Sequence, residues 1–382
     1  VMDDLGNFPY LATYGTNSSY NYLINGSKPV IVKAPGLVAP DFTWETVTQM
    51  DFGFDASFLN NRLTGTFDWY RRNTKDMLVA GATLPATLGA SVPKSNSADM
   101  KTIGWELSLG WNDRLENGFS YWVKGVLSDY QATITKYAGN DAGFYSQSDG
   151  DGKYYVGQKI GEIWGYHSNG LFQSDDEAAT IDQSELYAGK WGAGDVKYED
   201  LDNDGKITKG EETIYNPGDK SIIGNKTPRY QFGITVGFDY KNFDFEMFWQ
   251  GTGKRDYMLS GAQFWGFTSQ WDVPYTPALD YWTETNTDAY FPRPGWQNGG
   301  NRVTSDRYLQ SAAYGRLKNL TVGYTIPKNL TTKWGISRLR LYVTGENLLT
   351  ITPLNDAFDP ETLGGMTYPI NRKVAIGLNL TL

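Results

Sequence analysis

The densest chemistry in this 382-residue chain lies in twelve consecutive residues, Asp200-Leu-Asp202-Asn-Asp204-Gly205-Lys206-Ile207-Thr208-Lys-Gly-Glu211. Carboxylates at the first, third, fifth and twelfth places, with glycine at the sixth, are the spacing of a calcium loop. Asp200, Asp202 and Asp204 would supply carboxylate oxygens and Lys206 its backbone carbonyl. Thr208 would act through a water and Glu211 as a bidentate ligand. Four carboxylates crowded into so short a loop repel one another unless a hard cation neutralises them, so the sequence predicts bound Ca2+. The alternative is a solvated acidic turn, because neither Val196-Lys-Tyr198 nor the stretch after Glu211 reads as one of a helix pair. An ion held here would staple a loop rather than signal, since there is no helix pair for it to open.

Other chemistry is scarce. The chain has no cysteine and one histidine, His167. That removes disulfides, thiolate zinc, iron–sulfur clusters, cysteine nucleophiles and multi-histidine metal centres together. No G-x-S-x-G, H-E-x-x-H or phosphate loop is present. Carboxylate pairs such as Asp175-Asp176 have no legible spacing through space, and His167, among Gly165, Tyr166 and Asn169, reads as a surface or loop-packing residue. The expectation is a protein that is not an enzyme. A net charge of −9 with no long Lys/Arg run makes nucleic acid an unsuitable partner.

Aromatic side chains are the remaining candidates. Phe264, Trp265, Phe267, Trp271, Tyr275, Tyr281, Trp282, Tyr290, Phe291 and Trp296 crowd one long connection. Phe264, Trp265, Trp271, Tyr281 and Trp282 are the candidates for stacking on a ligand or docking a partner. Packing of the loop on itself is the plainer role for most of the ten.

The elements that must position these residues are strands. Over 50–58, Met50, Phe52, Phe54, Ala56 and Phe58 alternate with Asp51, Gly53, Asp55 and Ser57, a strand with one apolar and one wet face. Leu63, Gly65, Phe67 and Trp69 repeat the pattern after Asn60-Asn61. So do Trp105 to Trp111, then Phe119 to Gly125 after Asn117-Gly118. Tyr230 to Phe238 and Phe243 to Trp249 flank Lys241-Asn242. Leu320 to Ile326, Leu339 to Val343 and Val374 to Leu382 complete about nine strands of about ten residues, the length a tilted strand needs to cross a bilayer.

Short turns near 60, 113–118, 241 and 327–337 alternate strictly with long connections at about 77–103, 137–228, 251–315 and 350–371. Short turns on one side and long loops on the other are the asymmetry of an outer-membrane barrel. Residues 1–43 read as a loop segment, and 44–382 as barrel with large extracellular loops. No stretch approaches 18 consecutive apolar residues, and a mean hydropathy of −0.48 suits alternating strands. Residues 1–9 carry Asp3 and Asp4 and do not read as a signal peptide. Val1 is not an initiator methionine, which points to a processed chain or the later part of a longer one. Single-chain bacterial barrels use even strand numbers, so nine strands should be the closing portion of a larger cylinder. A soluble β-sandwich alternates too, but with strands of about five or six residues and charged outward faces.

The C-terminal segments carry a specific resemblance. Tyr314-Gly-Arg316-Leu-Lys-Asn-Leu-Thr-Val-Gly-Tyr324-Thr-Ile-Pro327 and Leu339-Arg-Leu-Tyr342-Val-Thr-Gly-Glu346-Asn347-Leu348 resemble the penultimate hairpin of SusC/RagA-type TonB-dependent outer-membrane transporters. Asp359-Pro360-Glu361, Tyr368-Pro369 and 373–382 follow in the family's order. Ile222-Ile-Gly-Asn225 with Pro228, Tyr240-Lys-Asn-Phe-Asp244, Gln250-Gly251, Trp44-Glu45 and Tyr70-Arg-Arg-Asn-Thr74 are also similar. Leu382 stands where the family usually ends on an aromatic.

The resemblance implies an all-β fold, the C-terminal strands of a 22-stranded antiparallel transmembrane barrel whose plug domain is absent from this chain. It implies a nutrient importer for oligosaccharides or peptides, in contact with outer-membrane lipid. Its implied partners are a SusD-like surface lipoprotein, TonB acting through the missing N-terminal part, and the remaining barrel and plug segment. The alternative is a secreted, calcium-stabilised carbohydrate-binding β-sheet protein.

Overall fold

The computed structural model describes residues 10–17, 23–39, 42–80, 92–138, 154–295, 298–363 and 368–382, with 85, 87, 89 and 90. The expectations placed on residues 1–9 and on Trp296 lie outside the described residues.

Nine strands form one antiparallel meander in which every strand pairs with its sequence neighbours. They are β1 (Thr46–Phe58), β2 (Leu63–Ala80), β3 (Lys94–Arg114), β4 (Ser120–Tyr137), β5 (Arg229–Tyr240), β6 (Phe243–Lys254), β7 (Tyr314–Thr325), β8 (Arg338–Ile351) and β9 (Lys373–Thr381). The short turns have the expected chemistry. Leu59, Asn60 and Asn61 all take positive φ, and Asn117 accepts the Phe119 N–H at 3.0 Å beside Gly118 at φ 84°.

The strands run further into the long-loop side than the alternation marks. β2, β3 and β4 reach 18, 21 and 18 residues, so the first long connection is 81–93 rather than 77–103. Buried Asn96 pins that extension. Its amide donates to the carbonyls of Thr43 and Asp76 and accepts the Thr43 N–H. Pairing therefore continues past the apolar residues on backbone and amide hydrogen bonds.

The register gives each face one character. Phe54, Phe67, Leu107, Leu127 and Phe232 stand in one row across β1 to β5, and Val236, Met247, Leu320, Gly345 and Val374 in another across β5 to β9. A slip of one residue would send such a row to the other face. The outward rows are bare: Phe52, Phe54 and Ile376 are 68%, 55% and 83% exposed. Among the described residues no second sheet covers them, so the sandwich reading fails and the apolar face is the one that meets lipid.

The opposite face is polar and interrupted by glycine. Tyr70 lies over Gly104, Trp122 over Gly237 and Tyr342 over Gly377, so side chains lean across bare backbone on the next strand.

A small core of Ala98, Ile134 and Tyr137 sits on the extended ends of β3 and β4, and the largest core lies off the sheet. It is built from the long connections, where Tyr166, Leu171, Val196, Tyr198, Ile207, Leu259, Phe264, Phe291 and Tyr308 pack together. The loops on this side thus form a packed body above the wall of strands.

Candidate functional site

The acidic loop folds around its own first aspartate. Asp200 accepts the N–H groups of Asn203 and Gly205 at 2.7 Å each, and of Asp204 at 3.3 Å. Gly205 at φ 83° and Asn203 at φ 62° make the sharp turn. Ile207, 1% exposed, anchors the loop in the packed body and donates its N–H to the Asp182 carbonyl at 2.7 Å.

The tertiary structure changes the acidic set. Carboxylate oxygens of Asp200, Asp202 and Asp219 lie within 4.8 Å of one another. Asp219, 1% exposed, accepts the N–H groups of Leu201 at 2.8 Å and Thr208 at 2.7 Å, which clamps both ends of the loop. Glu211 and Asp204 stand outside that trio. Glu211 is exposed and its N–H donates to the Asn216 carbonyl, while Asp204 accepts the Lys206 N–H at 2.8 Å. Only Asp219 was invisible in the motif, because it follows in an ordinary turn sequence, Asn216-Pro-Gly-Asp219.

Within the trio the crowding bears on Asp202. Desolvation raises Asp202, as do the charges of Asp204 and Asp219, against the Asp204 N–H that favours its anion. Desolvation also acts on Asp200, but the N–H groups of Gly205, Asn203 and Asp204 outweigh it and hold that carboxyl below its usual range. Crowded carboxylate oxygens with no nitrogen or sulfur donor among them are the donor set of a hard cation, so the residues present fit Ca2+.

The aromatic candidates separate by burial. Phe264 is 0% exposed, Trp265 8% and Trp282 7%. Trp265 meets Tyr308 edge-on at 4.5 Å between ring centroids, and Phe264 meets Phe291 at 5.1 Å. Burial raises the Tyr308 phenol, which holds it neutral. Tyr281 packs, partly buried, against the same cluster. Phe264, Trp265 and Trp282 are core and Tyr281 packs on it, and the contact reading fits Trp271, which is 83% exposed. Asp272 holds it there on a pinned turn, accepting the N–H groups of Thr268 at 2.9 Å and Ser269 at 2.7 Å.

Two further constellations were not legible in the sequence. His167 joins three segments, with Nδ1 at 2.8 Å from Asp306 and Nε2 at 2.7 Å from Ser221. On the polar face, Arg316 is 2% exposed. Its Nε donates to Thr350 at 2.9 Å, its Nη2 to Asp359 at 2.5 Å, and its Nη1 lies 3.2 Å from Glu361. This ties the connection 352–372 to the wall. Beside it opens a cavity of about 640 Å³, bounded by Arg316, Thr350, Thr352, Phe358, Asp359 and Arg372. Its mixture of hydroxyls, charges and one ring suits a polar, extended ligand.

Comparison with known proteins agrees with this architecture. A family model described as TonB dependent receptor-like, beta-barrel matches residues 5–348. The chain is 29% identical to TonB-dependent receptor P3 of Formosa agariphila, over 97% of this chain and 38% of that receptor. It is 26% identical to TonB-dependent receptor SusC of Bacteroides thetaiotaomicron, over 98% of this chain and 35% of the other. The fold matches the structure of the RagAB peptide transporter with a TM-score of 0.75 at 22% identity, covering 99% of this chain and 39% of that one. The chain therefore spans less than two-fifths of the length of these relatives. The SusC/RagA-type resemblance of the sequence motifs is borne out.

Proposed function

The chain belongs to the TonB-dependent receptor β-barrel family of the bacterial outer membrane, and on that premise we propose that it forms wall and capture loops of an energised nutrient importer. The observation that carries this reading is the division of one nine-stranded meander into an apolar face and a polar one. Such a wall separates lipid from a hydrophilic passage.

The ligand is an oligosaccharide or a peptide, captured among the long loops beneath a SusD-like surface lipoprotein. It is released inward when TonB pulls a plug domain supplied by other parts of the protein. Trp271 contacts the ligand or the lid, and the cavity beside Arg316 lies on the passage. Ca2+ at Asp200, Asp202 and Asp219 staples the loop body. No step of covalent chemistry belongs to this chain. The relatives described above are receptors and transporters, and that supports the reading.

The test is uptake. Cells lacking the full-length protein are compared with complemented cells for growth on defined oligosaccharides and on peptides as sole nutrient. Loss of growth on one class, restored by the intact gene and dependent on TonB, is the expected result. Unchanged uptake of both classes overturns the proposal.

A further inference from the structure

We propose that the long-loop rim of the outer face holds the phosphate of a phosphorylated lipid headgroup, with Arg71, Lys75, Lys101 and Lys159 as its cationic partners. The register places them together. Asn73, Lys101, Thr133 and Lys159 stand in one continuous row from β2 through β3 and β4 to the segment that extends the sheet beyond β4. Arg71 lies two residues nearer the apolar belt, opposite Ile103, and Lys75 two residues further out, opposite Thr46.

Directly below Arg71 the tryptophans Trp69 and Trp105 are register partners, as at a membrane interface. Trp111 stands on the same face of β3 towards the short-turn side. From Trp111 to Lys101 the strand advances about 33 Å at roughly 3.3 Å per residue, or about 25 Å across a bilayer at a tilt near 40°. That is the height of the apolar band, so Lys101 and Lys159 meet the headgroup layer and Arg71 reaches it by extending its side chain outward.

Among the described residues none of the four cations makes an ion pair. The nearby carboxylates are already engaged. Asp129 is held by Arg229 at 2.5 and 2.6 Å. Asp99 accepts the Asp76 N–H at 2.9 Å and faces Lys136 across the ladder. Glu162 takes the Tyr155 hydroxyl and the Lys159 N–H. Four unpaired cations at headgroup height complement a fixed phosphate, and each contributes through charge attraction that water alone would screen. The proposal rests on the outer-membrane placement of the sheet and not on what is imported.

The test uses the full-length protein in a non-ionic detergent. It is titrated with monophosphorylated lipid A, with the same lipid after phosphatase treatment, and with inorganic phosphate, and bound lipid is counted by native mass spectrometry. The phosphorylated lipid is expected to bind about tenfold or more tightly than the dephosphorylated one. The Lys101→Gln/Lys159→Gln variant and, separately, Arg71→Gln should lose most of that difference, while Lys333→Gln on a short turn keeps it. Heat-modifiable gel migration checks that each variant is folded. Equal binding of the two lipids, an undiminished difference in both rim variants, or full competition by inorganic phosphate would each overturn the proposal.

Discussion

Arg340 on β8 reaches across Gly323 on β7 to hold Asp244 on β6, with Nε donating at 2.8 Å and Nη2 to the other carboxylate oxygen. Gly323 is the register partner of Asp244 and of Tyr342, and a Cβ there would run into both members of the pair. One ion pair thus spans three strands only because the middle one has no side chain. Arg340→Ala should cost about 1–3 kcal/mol, the worth of charged hydrogen bonds that leave a half-buried partner unpaired. Gly323→Val should do at least as much damage with both partners intact. The temperature at which the heat-modifiable gel band converts measures both. A Gly323→Val protein as heat-stable as the parent would show that the bridge is incidental.

Adjacent residues on one strand should respond oppositely to charge. Ile234 stands in an apolar row beside Trp249, while Thr235 faces the polar side beside Lys124. Ile234→Lys should cost about 2–4 kcal/mol if lipid covers that row, and Thr235→Lys much less. Denaturant unfolding in lipid vesicles reads the difference, and equal costs would contradict the assignment of faces.

The two candidate acidic closures of the calcium loop can be told apart. Asp219→Asn should abolish stabilisation of the full-length protein by added Ca2+ and its loss on chelation. Glu211→Gln should preserve both, because Glu211 lies outside the carboxylate trio. Thermal unfolding with and without chelator checks this. Retained Ca2+ response in Asp219→Asn together with loss in Glu211→Gln would restore the reading of the linear motif.

Acid should loosen the loop body. The Asp175, Asp182, Asp200 and Asp272 carboxyls all lie below their ordinary 3.8. For Asp175 the bond from Lys190 leads, for Asp182 the bond from Ser184, and for Asp272 the bond from Thr268. A depressed carboxyl contributes stability that is present above its unfolded value and is lost as pH falls through the folded one. Asp202, raised, contributes in the opposite sense and only in part offsets them. Cleavage within 154–313 by an acid-active protease should rise as the pH is lowered past 3.8. A flat cleavage rate down to the lowest pH tested would remove these bonds from the account.

Two aromatics that look alike in sequence should behave differently. Phe264→Ala empties a fully buried site and should cost about 3–5 kcal/mol. Trp271→Ala should leave stability within about 0.5 kcal/mol, as exposed positions do, while weakening ligand or lid association. Association measured by calorimetry, set beside thermal unfolding, checks the pair. A destabilised Trp271→Ala would place that ring in the core instead.

The amino-acid pattern alone determined the nine strands, their antiparallel order and the face of each alternating residue, but not how far β2, β3 and β4 extend. Alternation is a property of the extended backbone, so Phe52 and Asp51 part company wherever the strand is placed. It also determined the letters of the acidic loop and the turn residues Asn60, Asn61 and Gly118. Only the tertiary structure decided that Asp219 joins Asp200 and Asp202, that Phe264 and Trp282 are core while Trp271 is not, and that Arg340 finds Asp244. Those outcomes depend on long connections packing against one another and on neighbouring strands settling into one register. Contacts between residues dozens of positions apart leave no periodic trace in the chain.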